Sequence, residues 1–175
     1  EDILGDKMTA FAPNTIGIPY FKKDRECNME IIKQLYDINR LFENVDDFGP
    51  AYESFFKVSN VELGYRGLEG RLSEFFEDVR QTAICIATRG QAGNGDIQKF
   101  MSGIKRDKSI MYQEKYQIEE AITDASRAAY LATCFEKGIL EIEKYPKENP
   151  KVVLDMSISE ILPTKLRKLR NVIPE

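Results

Sequence analysis

Residues 108–137, KSIMYQEKYQIEEAITDASRAAYLATCFEK, form a run of thirty residues with neither glycine nor proline. An unbroken helix over this run would be about 45 Å long at 1.5 Å per residue, so the run predicts the central helix of the fold. On a helical wheel Met111, Ile118, Ala121, Ile122, Ala125, Ala129 and Ala132 share one side. That side is rich in alanine, which permits close helix approach and predicts core. Tyr112, Tyr116, Thr123, Tyr130 and Cys134 share the opposite side. Amphipathic tyrosines suit either a second packed layer of the same domain or a partner interface, and in the second case Tyr112, Tyr116 and Tyr130 are the binding residues.

Upstream, Ile31, Leu35, Ile38, Phe42 and Val45 recur at spacings of four and three, predicting a helix capped by Asp24 that runs to about Val45. A second helix is expected from near Pro50, with Phe55, Phe56 and Val58 inward, fraying at Gly64 and Gly67. Leu68, Leu72, Phe75, Val79, Ala83 and Ile86 make the stripe of a third, which Arg89 and Gly90 end. Asp96 is positioned to cap a short helix carrying Ile97, Phe100, Met101 and Ile104. In residues 1–23, Pro13, Gly17 and Pro19 interrupt an apolar stretch and predict an extended arm packed on the body. Beyond Gly138, the runs 139–145 and 151–158 flank a proline-rich turn and predict a small C-terminal β-hairpin, with a continuation of the long helix as the alternative for 139–144. The expected fold is therefore all-α: one domain over residues 1–175, an antiparallel helical bundle around the long central helix, closed by a basic amphipathic tail over 159–175.

The chain contains no histidine. This excludes Ser-His-Asp and Cys-His nucleophile systems, HExxH zinc sites and carboxylate-histidine di-iron bundles, and removes the side chain that titrates nearest neutrality. Cys27, Cys85 and Cys134 are odd in number and form no CxxC pair, which predicts free buried thiols and a reducing, cytoplasmic setting. Cys134 has Lys137 one turn on, a neighbour that lowers a thiol pKa, but no base. No apolar run is long enough to span a bilayer, and Glu1 in place of an initiating Met points to an excised domain or a processed chain. The net charge of −4 opposes generic attraction to nucleic acid or anionic membranes. It is unevenly spread: from Lys144 onward there are seven basic and four acidic residues, so the preceding chain carries a net −7.

Three features carry candidate chemistry. The segment Arg89-Gly-Gln-Ala-Gly-Asn-Gly-Asp96 offers glycine amides and Arg89 for an anion, but it lacks the GK[ST] of a phosphate loop and follows a helix rather than a strand. Glu74-x-x-Glu77 with Asp78, and Glu120-x-x-x-Asp124, approach the paired carboxylates of helical Mg²⁺-dependent nucleotide hydrolases, yet the second spacing is one residue too long and the stripe turns Glu77 to solvent. Lys165, Arg167, Lys168 and Arg170 stand among leucines in the tail, a pattern that docks either on the acidic body or on an anionic surface. The expected function is recognition rather than catalysis, with no cofactor and no metal. The chain reads as a protein-protein interaction or oligomerisation domain, a scaffold, adaptor or regulatory module whose partner is a protein or a second copy. The alternatives are an anion-binding module that holds RNA or phospholipid head groups through Arg89, the glycine loop and the tail, and then a carboxylate-Mg²⁺ nucleotide hydrolase.

Overall fold

A computed structural model describes residues 2–107 and 116–144. In order these form α1 (Asp2–Ala10), β1 (Phe21–Lys22), β2 (Arg25–Glu26), α2 (Asn28–Asn44), α3 (Gly49–Tyr65), α4 (Leu72–Ala87), α5 (Ile97–Asp107) and α6 (Ile118–Glu136). The architecture is the expected all-α bundle. α6 packs against both α4 and α2, while α1 lies on α3 and α5 on α2.

The stripes read from the sequence are the core. Ile31, Leu35, Ile38 and Phe42 of α2 and Phe75, Val79, Ala83 and Ile86 of α4 are buried, as are Ala121, Ala125, Ala128 and Ala132 of α6. Between α3, α4 and α6 the core is aromatic: the Phe55 ring lies 5.1 Å from Phe75, 5.4 Å from Phe76 and 5.7 Å from Phe135. Tilted and edge-on ring pairs of this kind add to the area they bury. Asp96 caps α5 as expected, its Oδ1 accepting the Gln98 and Lys99 amides at 3.0 and 3.2 Å.

Four elements differ from expectation. Residues 2–10 are helical rather than part of an extended arm, because Pro13 and Gly17 disrupt only their own neighbourhood while Leu4, Met8 and Phe11 form a buried stripe at spacings of four and three. Asp24 caps no helix. It sits in the Lys23-Asp24 turn of a hairpin that pairs Phe21 with Glu26 and Lys22 with Arg25, and α2 begins four residues later. The central helix does not run continuously over 108–137: Gln117 is extended (φ −123°, ψ 176°) and α6 starts after it, the Gln117 amide donating to Glu120 Oε2 at 2.9 Å. A self-contained N-terminal cap of this kind starts a helix without a proline or glycine before it. Residues 108–115 lie outside the described residues. After α6 the chain forms neither strand nor helix over 139–144, and the second half of the expected C-terminal hairpin also lies outside the described residues.

Candidate functional site

α6 ends in a double hydrogen bond that turns the chain back on itself. The Gly138 amide donates to Phe135 O at 3.1 Å and the Ile139 amide to Cys134 O at 2.8 Å, with Gly138 in the left-handed region (φ 66°) that this cap requires. Residues 139–144 then fold back so that the Tyr130 hydroxyl comes beside the backbone of Glu143. Lys144 fastens the end of this segment: its Nζ donates to Glu43 O at 3.2 Å and Val45 O at 2.5 Å, and lies 3.9 Å from Asp46.

The returning segment leaves a cleft of about 540 Å³ between itself and the α2–α3 turn, lined by Asp46, Asp47, Phe48, Leu140, Glu141, Ile142 and Glu143. Phe48 is buried at its base and Leu140 is 39 % exposed at its edge. Tyr130 (41 %) and Ile139 (45 %) extend the exposed apolar surface along the end of α6 and the returning segment. Four carboxylates in the lining, with Lys144 as the cation beside them, make an apolar surface with an acidic rim. A second, smaller cleft of about 280 Å³ lies between α1, α3 and residues 16–22; there Lys22 and Arg66 balance Asp6 and Glu62, and Arg66 is already committed to Thr15 O and Gly17 O at 2.9 and 3.2 Å.

The tyrosine face divides. Tyr116 precedes α6, is 6 % exposed, and stacks edge-on with Tyr36 at 5.6 Å, so it belongs to the intramolecular layer and not to an exposed interface. Tyr130 remains at the surface. Tyr112, with Lys165, Arg167, Lys168 and Arg170 of the tail, lies outside the described residues.

No known protein family, curated protein or solved structure matches this chain.

Arg89 occupies the same position after α4 that Gly138 occupies after α6. It is in the left-handed region (φ 54°), its amide donates to Ile86 O at 3.0 Å, and the Gly90 amide donates to Cys85 O at 2.8 Å. Its guanidinium pairs with Glu119 at 2.7 Å. The loop amides of Ala92 and Asn94 are bonded to Thr88 Oγ1 and Gln81 O, so they close the loop onto α4 instead of converging on a common point.

The carboxylates of the motif reading are likewise occupied. Glu74 pairs with Arg71 at 2.5 Å, and Glu77 bonds Arg80 and Gln81. Asp78 is buried and accepts the Asn14 amide (2.9 Å), Asn14 Nδ2 (2.6 Å), Thr15 Oγ1 (2.9 Å) and Thr82 Oγ1 (3.2 Å), fastening the loop after α1 to α4. Among the described residues no group of three or more Cys, Asp and Glu is arranged to hold a metal ion. The three thiols are free and buried. Burial pushes Cys85 up, and pushes Cys134 up despite Lys137, a correction to the lowering that the neighbouring lysine suggested.

Two functional features were not read from the sequence. The acidic cleft joins residues 46–48 to 140–143, far apart in the chain; its signal was the coincidence of Asp46-Asp47 and Glu141-x-Glu143 with Phe48 and Leu140 at element ends. The other is the burial of Asp124, which the spacing had offered only as a metal carboxylate: it is 3 % exposed between α6 and α2, and its carboxyl is pushed up to about 7 by burial, against the lowering effects of Tyr116, Arg127 and Arg40.

Proposed function

We propose that this chain is a non-enzymatic helical protein-interaction domain, a scaffold, adaptor or regulatory module, and that its contact surface is the end of α6 with the cleft beside it. The observation that carries this reading is the grouping of Tyr130, Ile139 and Leu140, all exposed, against a cleft rimmed by Asp46, Asp47, Glu141 and Glu143. Aromatic and aliphatic anchors within a polar rim are the composition of protein interfaces. The partner chemistry that fits is a segment with apolar side chains and basic residues, on another protein or a second copy. A reducing, cytoplasmic setting suits the three free thiols.

The anion-binding reading draws less support, since Arg89 is paired with Glu119 and the Ala92 and Asn94 amides of its loop are bonded within the protein. The interaction reading is tested with a Tyr130→Ser, Leu140→Ser double variant. Sedimentation of the purified chain and affinity capture from a native lysate should show a self-complex or a partner complex for the parent chain that the variant loses at unchanged circular dichroism. Identical complexes from both chains would overturn it, as would no complex from either.

A further inference from the structure

The last described residue, Lys144, is anchored at the edge of the acidic cleft, and the chain continues from there into its most basic segment. In that segment Leu162, Leu166 and Leu169 recur at spacings of four and three, with Lys165, Arg167, Lys168 and Arg170 among them. The cleft presents the complement: Phe48, Leu140 and Ile142 with Asp46, Asp47, Glu141 and Glu143. We infer that residues 161–172 of the same chain dock in this cleft, so that the domain carries its own competitor for the surface assigned above to a partner. The inference rests on the interaction reading of the cleft and names its resident occupant.

Charge separates this occupant from others. The chain before Lys144 is net −7 and the segment from Lys144 onward net +3, so the tail is attracted to its own body. Reach is sufficient, because the stretch from Lys144 to Leu162 spans up to about 60 Å when extended, longer than the body's helices. Tethering does the rest: a short linker holds the segment at an effective concentration of about a millimolar, so a contact with a Kd near 100 µM would be mostly filled within one chain. A partner must then outcompete the tail, and whatever removes the tail's charge opens the cleft.

The test is hydrogen exchange of the full chain, read by mass spectrometry over residues 161–172. The expected result is protection of about tenfold or more over a synthetic peptide of residues 159–175, unchanged on dilution of the protein. Asp46→Lys with Glu141→Lys should abolish the protection, and so should Lys165→Glu, Arg167→Glu, Lys168→Glu and Arg170→Glu together in the parent chain. Asp46 and Glu141 are exposed, so circular dichroism should be the same for the cleft variant and the parent. Exchange equal to that of the free peptide would overturn the inference. So would protection that fades on dilution, which assigns the cleft to a second copy, protection insensitive to the cleft variants, or protection seen only with anionic vesicles. Failure here is distinguishable from failure of the interaction reading. Labelled 159–175 peptide that binds the chain carrying the four tail substitutions, when no tail protection exists in the parent, removes the internal occupant and leaves the cleft a binding surface.

Discussion

The Tyr116 hydroxyl donates a 2.7 Å hydrogen bond to Asp124 Oδ2, joining the residue two places before α6 to the buried face of its second turn. The pair is covered by α2, from which Tyr36 stacks on Tyr116 and Arg40 reaches the Tyr36 hydroxyl at 2.9 Å.

Asp124 makes stability depend on pH. Its carboxyl titrates near 7 in the folded chain and near 3.9 in the unfolded one, so between those values the folded state binds more protons. Its contribution is fully present below about pH 4, falls as pH rises towards 7, and stays lost above that, a total of up to about 4 kcal/mol. Asp124→Asn keeps an acceptor for Tyr116 and removes the charge. Urea denaturation should show the variant more stable than the parent at pH 8, with the difference shrinking towards pH 4; equal pH profiles would show that burial does not hold the proton.

Asp78 is buried among donors only: an amide N–H, an Asn Nδ2 and two hydroxyls. Asp78→Ala should cost about 3 kcal/mol, since it strands the Asn14 amide and its partners. Asp78→Asn should be nearly as costly, because it brings an NH₂ group to face other donors. Hydrogen exchange over residues 12–18 should rise in both variants, together with a lower urea midpoint.

Arg89 holds a left-handed backbone position that glycine occupies after α3 (Gly67, φ 64°) and after α6 (Gly138, φ 66°). Relief of the side-chain clash in Arg89→Gly is worth about 1 kcal/mol, and the exposed pair with Glu119 returns only a fraction of that. Arg89→Gly should therefore raise the melting temperature and Arg89→Ala should not. A rise in both would attribute the effect to the side chain and leave the backbone out of it.

Gly5 and Gly64 predict opposite signs for the same substitution. A Cβ on Gly5 would sit 2.3 Å from Ala51 O and 2.4 Å from Phe55 N, both backbone atoms of α3, so Gly5→Ala must push α1 away and should cost about 3 kcal/mol or more. Nothing lies within 4 Å of a Cβ on Gly64, so Gly64→Ala should gain about 0.5–1 kcal/mol by restricting the unfolded chain. Thermal melts of the two variants against the parent check both signs.

Local chemistry explains which parts of the fold were legible without coordinates. A stripe such as Ile31-Leu35-Ile38-Phe42 or Phe75-Val79-Ala83-Ile86 identifies a helix because the spacing of apolar side chains along one face is a property of the segment itself. The Asp96 cap and the stop at Arg89-Gly90 were readable for the same reason, each needing only its own few residues. The absence of histidine likewise excluded whole classes of catalysis without any structure. What the tertiary structure alone decided concerns residues that are distant in the chain. The start of α6 at Ile118 combines the local Gln117–Glu120 cap with the hold that Tyr36 of α2 has on Tyr116, and this second contact no wheel shows. The separation of Tyr116 into the core from Tyr130 at the surface followed from that break. The acidic cleft required the cap at Gly138 to reverse the chain and Lys144 to fasten it beside Val45. Sequence determines periodicity and caps because both are short-range; burial, proton affinity and the shape of a surface depend on which segments meet, and only packing settles that.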